Sequence, residues 1–288
     1  MPELPEVQAL AAFLDEHLAG HEITAATSVA IQALKTYDPP LTALAGKTVE
    51  SVGRRGKFLI FTVGDLHLVL HLARAGWVRW REELPDAPPR PGKGPLALRV
   101  RMAEPAGSGF DVTEAGTKKG LAVYVVRDPD EVPGIARLGI DPLSDAFTVE
   151  ALAGLLDGER RQIKGVLRDQ SVLAGIGNAY SDEILHAARM SPFKLAAKLT
   201  AQEVRELHDV TISTLTDAVE RSRGLPMKDL KAEKKSGLRV HGRTGEACPV
   251  CGDTIREVSF ADSSLQYCPT CQTGGKPLAD RRLSRLLK

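Results

Sequence analysis

The sequence predicts a multi-domain α+β protein: an N-terminal β-sandwich with one leading helix, then a helical domain, then a C-terminal hairpin held by four cysteines. Three observations carry this. Short segments of β character, separated by Gly-rich turns, run from Lys47 to Arg127. After Asp141 the spacing of apolar residues becomes helical and stays so to Arg221. All four cysteines, Cys248, Cys251, Cys268 and Cys271, fall in the last 41 of 288 residues as two C-x-x-C pairs.

Taken in order, the leading helix is signalled by Pro5 in the first turn, by the apolar stripe Val7, Leu10, Leu14 and Leu18, and by Gly20 as a stop. Strands follow over Lys47–Val52, Phe58–Val63, Leu66–Leu72 and Gly76–Trp80. A loop of Pro and charged residues, Glu82–Pro95, precedes further strands at Leu96–Met102 and Leu121–Arg127. Helical spacing then marks Val149–Leu156, Gln162–Arg168, Asn178–Arg189 and Ala201–Arg221. Gly224–Gly237, with Lys228, Lys231, Lys234 and Lys235 set among glycine and proline, reads as a mobile basic loop. The expected boundaries are 1–135 for the sandwich, 136–236 for the helical domain, 237–275 for the cysteine hairpin and 276–288 for a basic tail.

Composition narrows the class. A chain of 288 residues buries about two cores, and a net charge of only +1 excludes a polycation that coats nucleic acid indiscriminately. No stretch is apolar enough for a membrane span or a secretory signal, so a cytoplasmic protein is expected. In a reducing compartment the cysteines point to metal rather than disulfides. Their spacing, C-x2-C-x16-C-x2-C, offers four soft thiolates to one tetrahedral, structural Zn2+.

Three further stretches carry chemistry. Pro2 follows the initiator Met1, which is normally trimmed before proline, and the secondary amine so released has a pKa near ~8. Such an amine is partly neutral at pH 7 and can attack an aldehyde carbon, and Glu3 and Glu6 lie within one turn of it. Gly175-Ile176-Gly177-Asn178 lies between two helices, where backbone N–H groups of Gly177 and the Asn178 side chain suit a phosphate, with Arg161 and Lys164 nearby. Arg54-Arg55-Gly56-Lys57 is a basic turn feeding a strand, so Lys57 is a candidate phosphate ligand beside Pro2. Each has a plainer reading: a helix start, a helix-helix turn, an exposed lysine.

The segments "PELPEV" at residue 2, "GRRGKFL" at 53, "HLARAG" at 71, "LGIDPLSDAF" at 138, "QSVLAGIGNAYSDEIL" at 170, "HGRTGEACPVCG" at 241 and "YCPTCQ" at 267 together resemble the formamidopyrimidine-DNA glycosylase and endonuclease VIII family, the helix-two-turn-helix repair enzymes. "PELPE" is more similar to the formamidopyrimidine branch. The resemblance implies a helix-two-turn-helix middle domain and a DNA glycosylase with abasic-site (AP) lyase activity, acting on damaged DNA as a monomer in the bacterial cytoplasm, at the nucleoid. It makes Pro2 the nucleophile, Glu3 the residue assisting protonation and ring opening, Glu6 its support, and Lys57 and Asn178 the holders of phosphates near the lesion. In that family a Met of "HLGMSG" and an Arg-Phe pair of "DPRRFG" fill the gap left by the flipped base; here the first position is Arg74 and the second motif has no match. A hairpin Arg five residues before the third cysteine is Ser263 in this chain. These departures leave a second reading open, a DNA-damage-binding paralogue with little base excision.

Overall fold

Leu4, Val7, Leu10, Leu14 and Leu18 are all fully buried in the first helix, α1 (Leu4–Leu18), as the apolar stripe requires. Its start is fixed by a reciprocal capping box: the Glu3 N–H donates to Glu6 Oε2 at 2.8 Å, and the Glu3 carboxylate accepts the Glu6 N–H. Gly20, at φ +84°, ends the turn beyond it. The computed structural model describes every residue except 88, 90–93, 262 and 280–288. Most of the basic tail, and part of the loop Glu82–Pro95, lie outside the described residues.

The chain divides into two compact units, Met1–Leu138 with Ser222–Lys231, and Gly139–Arg221 with Ala232–Lys288. The first holds the sheet: β1 (Glu22–Ser28), β2 (Lys47–Arg55), β3 (Phe58–Val63), β4 (Leu66–His71), β5 (Gly76–Arg81), β6 (Leu96–Met102), β7 (Gly109–Glu114) and β8 (Ala122–Val126). The strands form one antiparallel ladder in the order β5-β7-β6-β1-β2-β3-β4-β8. Only two residue pairs, Glu22↔Thr48 and Ile23↔Lys47, join β1 to β2. At that thin junction the ladder folds back as two four-stranded layers, and Phe61 of β3 stacks on Phe110 of β7 across the interior at 5.3 Å between ring centroids. The shared core also takes in the buried stripe of α1. Truncating one of its leucines to alanine costs about 2–5 kcal/mol.

Two strands, β1 and β7, are not among the segments expected from sequence. In β1, EITAATS has small and polar residues where a strand is usually read from branched or aromatic ones. In β7 all six residues are buried although Asp111, Thr113 and Glu114 are polar. Each finds a partner: Asp111 binds Arg99 bidentately at 2.8 and 3.0 Å, Thr113 Oγ1 donates to the Trp77 carbonyl, and Glu114 accepts the N–H groups of Gly120 and Leu121.

The second unit contains α2 (Val149–Leu156), capped by the Thr148 hydroxyl, then α3 (Ile163–Arg168), α4 (Asn178–Ala187) and most of α5 (Ala201–Ser222). The hairpin β9 (Arg256–Ser259) and β10 (Ser264–Tyr267) follows, with a short helix, Pro269–Thr273, beyond it. Helix α4 is buried from Ala179 to His186, so its polar residues must be satisfied from within. The stretch expected as a mobile basic loop is ordered instead: Leu230–Gly237 is a helix. Met227 and Leu230 are buried in the sandwich core, and two apolar anchors spaced three apart outweigh the lysines around them. Among the described residues no helix is long and apolar enough to cross a membrane.

Candidate functional site

Pro2 is buried directly ahead of α1, while Met1 before it is half exposed. Glu3 and Glu6 are 2% and 1% exposed, although both are carboxylates. The capping box explains how they are tolerated there, since each accepts a backbone N–H at the positive end of the helix dipole. Two carboxyl groups locked within one turn of the Pro2 nitrogen can hold or deliver a proton there without searching rotamers.

The turn between β2 and β3, closed by Gly56 at φ +55°, is pinned by the two arginines that precede it. Arg54 Nε donates to Gln8 Oε1 of α1 at 2.7 Å, and Arg55 pairs with Asp130 at 2.7 Å. Both arginines thus have structural partners. Lys57 is buried, 7% exposed, at the mouth of β3. Its charge acts on His71, which lies against Phe58 at 4.7 Å between rings. Burial first, and the Lys57 charge second, pull the His71 imidazole down to about 4. At neutral pH His71 is therefore uncharged and the positive charge at this spot belongs to Lys57.

Arg74 stands exposed on the turn between β4 and β5. Ala73 takes φ +50°, and a Cβ on Gly76 would lie 2.2 Å from the Leu72 carbonyl oxygen, so the turn closes only with glycine there. Against it packs a second turn, residues 115–120: the Ala115 N–H donates to Ala75 O at 3.3 Å, and a Cβ on Gly120 would meet Ala73 Cβ at 3.3 Å. Glu114 shapes that turn by accepting the N–H groups of Gly120 and of Leu121 just beyond it. Lys118 and Lys119 are thereby brought beside the Arg74 turn, which sequence spacing alone could not show.

In the second unit the phosphate candidates fare unequally. Asn178 opens α4 just after Gly177, and its Nδ2 donates to the Ser264 carbonyl of β10 at 2.7 Å. Its Oδ1 is buried with no partner among the described residues. Lys164 is buried and not open to a phosphate, contrary to the sequence expectation: it is 4% exposed, and Nζ donates to Asp182 Oδ1 at 2.6 Å, Ser181 Oγ at 2.7 Å and the Asn178 carbonyl at 3.2 Å. Arg161 is likewise committed within the protein, bridging Glu159 at 2.7 Å and Asp169 at 2.6 Å, and those two carboxylates hold its guanidinium firmly charged. Neither cation is spare, because each already faces a carboxylate.

Asp182 and Glu183 are the residues that sequence reading missed. Besides Lys164, Asp182 accepts from His241 Nδ1 at 2.7 Å and the Gln266 N–H at 3.2 Å. Glu183 accepts three consecutive backbone N–H groups, of Arg239, Val240 and His241. Burial raises its pKa while those donors oppose the rise. One buried helix thus fastens the cysteine hairpin to the helical region. The only signal in sequence was the pair of adjacent acids inside a segment of helical spacing.

The four cysteine Sγ atoms lie within 4.8 Å of one another, with Cys251–Cys268 at 3.3 Å and Cys248–Cys271 at 3.9 Å. Tetrahedral Zn–S bonds of about 2.3 Å need sulfurs about 3.8 Å apart, so the cluster fits one structural Zn2+. Burial pushes the Cys268 thiol up to about 11, so the protein alone does not ionise it and the metal supplies the balancing charge. His186 Nε2 lies 3.3 Å from Cys248 Sγ, the expected outer partner of a ligand sulfur. At the hairpin turn Phe260 is 45% exposed, and its N–H bonds the Ser263 carbonyl at 2.8 Å.

Three family models match along the chain: the formamidopyrimidine-DNA glycosylase N-terminal domain over residues 1–113, the formamidopyrimidine-DNA glycosylase H2TH domain over 138–228, and the zinc finger found in FPG and IleRS over 245–274. A formamidopyrimidine-DNA glycosylase of Roseiflexus sp. is 36% identical over 94% of this chain and 100% of its own length, and one of Desulforamulus reducens is 32% identical over 94% and 99%. An uncharacterized formamidopyrimidine-DNA glycosylase-like protein of Mycobacterium tuberculosis is 63% identical over 151 residues, covering 52% of this chain and 94% of its own. Among solved structures, Lactococcus lactis formamidopyrimidine-DNA glycosylase bound non-covalently to abasic-site DNA superposes with a TM-score of 0.81 at 28% identity, covering 94% of this chain and 99% of that one. MutM in complex with DNA containing carbocyclic 8-oxo-G gives 0.82 at 27% identity, covering 94% and 100%.

Proposed function

Because the chain belongs to the formamidopyrimidine-DNA glycosylase family, we propose that it is a DNA repair glycosylase with associated AP lyase activity, and that Pro2 is its nucleophile. The observation that carries this is the pair of buried carboxylates, Glu3 and Glu6, locked around the start of α1 next to Pro2. Once Met1 is removed, the Pro2 nitrogen attacks C1′ of the damaged nucleotide. The glycosidic bond breaks, its electron pair leaves with the base, and the base takes up a proton. Glu3 assists ring opening by protonating the sugar oxygen, which leaves a Pro2–C1′ iminium. That cation acidifies the C2′ proton; its loss expels the 3′ phosphate, and a second elimination expels the 5′ phosphate.

Lys57, and Asn178 at the start of α4, hold phosphates beside the lesion in this reading, while Arg74 fills the space of the extruded base. Lys118 and Lys119 lie on the turn that packs against the Arg74 turn and add charge, not an aromatic ring, beside it. Arginine and lysine pry apart a well-stacked pair less effectively than an aromatic, so abasic sites, ring-opened purines and lesions in unpaired DNA are the favoured substrates. The binding-only paralogue is not favoured, since the full-length relatives and structural neighbours named above are glycosylases. Borohydride reduction in the presence of an abasic duplex should lock the protein to DNA through Pro2, as read by mass spectrometry. Trapping that survives Pro2→Gly, with the adduct on a lysine, would remove Pro2 from the mechanism.

A further inference from the structure

The first unit contains a cavity of about 500 Å3 that none of the residues assigned above lines. Phe13, Trp77 and Trp80 form its aromatic wall, and Arg79, Lys228 and Lys231 surround its mouth. The wall is held rigid: Phe13 stacks on His17 at 3.9 Å, and His17 meets the Trp80 ring edge-on at 5.3 Å. Lys231 Nζ lies over Trp77, 4.4 Å from the ring centroid. Among the described residues none of these three cations has a carboxylate partner. The nearby Asp111 is already taken bidentately by Arg99 and lies 3.7 Å from Arg81. Burial, and then the Arg79 charge, hold the Lys231 ammonium below the ordinary lysine range, so the two cations are close enough to act on each other.

An apolar ligand would leave the cations unmatched, and inorganic phosphate would leave the rings unused. A base carrying its phosphate satisfies both. It is not the base attached to the sugar at Pro2, because Phe13 lies nine residues beyond Leu4, about 14 Å along the helix axis. We propose that this groove is a second nucleotide site, in which a base stacks against Trp80 and Phe13 while its phosphate sits among Arg79, Lys228 and Lys231. The nucleotide belongs either to an unpaired stretch of the DNA strand a few positions from the attacked sugar or to a free mononucleotide. The inference rests on the reading of the chain as a DNA enzyme.

Trp77 and Trp80 are the only two tryptophans, so intrinsic fluorescence of the full chain reports on this groove. A dA decamer should quench it saturably; quenching by dAMP as well would show that a mononucleotide suffices, and quenching by the decamer alone would assign the site to a strand. Deoxyadenosine and inorganic phosphate, each lacking one half of the ligand, should bind at least about tenfold more weakly than the better nucleotide probe. Arg79→Gln and Lys228→Gln should each weaken that probe about five- to tenfold, as expected for phosphate contacts. Absent quenching by both nucleotide probes, equal quenching by a Glu-rich peptide, or affinity untouched by both variants would overturn the proposal. Borohydride trapping on abasic DNA reads the Pro2 site separately: lost quenching with intact trapping refutes this groove alone, and intact quenching with lost trapping refutes the active-site reading alone.

Discussion

Replacing Lys164 by methionine separates a phosphate contact from a buried strut. The side chains of Lys164 and Asp182 are 5% and 1% exposed and meet at 2.6 Å, and the lysine also holds Ser181 and the Asn178 carbonyl. Methionine fills much of the same volume but leaves the Asp182 carboxylate to His241 and the Gln266 N–H. Removing one partner of a buried ion pair costs about 3–5 kcal/mol. With a urea m-value of about 2 kcal/mol/M, the unfolding midpoint of the second unit should fall by about 1.5–2.5 M. Circular dichroism during urea titration measures it, and Lys164→Met combined with Asp182→Leu should recover part of the loss, because no charge is then stranded at that contact. If Lys164→Met keeps the wild-type midpoint and instead lowers the slope of log K against log[salt] for DNA by about one, Lys164 is a phosphate ligand and the strut argument is wrong.

Glu3→Gln should slow base release by at least about a hundredfold, the ordinary worth of a positioned acid, while cleavage of a ready-made abasic site falls less; equal losses in single-turnover assays would contradict its role in protonation. Purified, reduced protein should contain one Zn2+ per chain, and Cys248→Ser should loosen the hairpin and weaken DNA binding, so metal analysis that finds no zinc refutes the site. His71 has a folded pKa near 4, below its ordinary 6.5, so the folded state resists protonation there. Its contribution is fully present above pH 6.5 and is lost as pH falls toward 4, about 3 kcal/mol in all. His71→Asn should flatten the acid limb of a stability-against-pH curve between those limits; an unchanged limb would show that burial at His71 does not govern it.

What the sequence determined by itself was whatever rests on local spacing. The α1 stripe, six of the eight strands, four helices and the cysteine ligands are periodicities or fixed intervals, and the side chains that create them are neighbours in the chain. The N-terminal Pro2-Glu3-Glu6 group was legible for the same reason, since one helical turn contains all of it. Tertiary structure alone decided the fate of groups whose partners are distant. Strand β7 is polar in composition and buried in fact, because Arg99 from the adjacent strand neutralises Asp111. Lys164 and Arg161 looked like one basic face, yet carboxylates 18 and 8 residues along the chain claim them. The lysine-rich stretch after Gly224 folds as a helix because Met227 and Leu230 reach a core built by residues more than a hundred positions earlier. A charge in sequence is an open valence, and only the fold determines whether a carboxylate, an aromatic face or a ligand fills it, because desolvation makes the unfilled state costly.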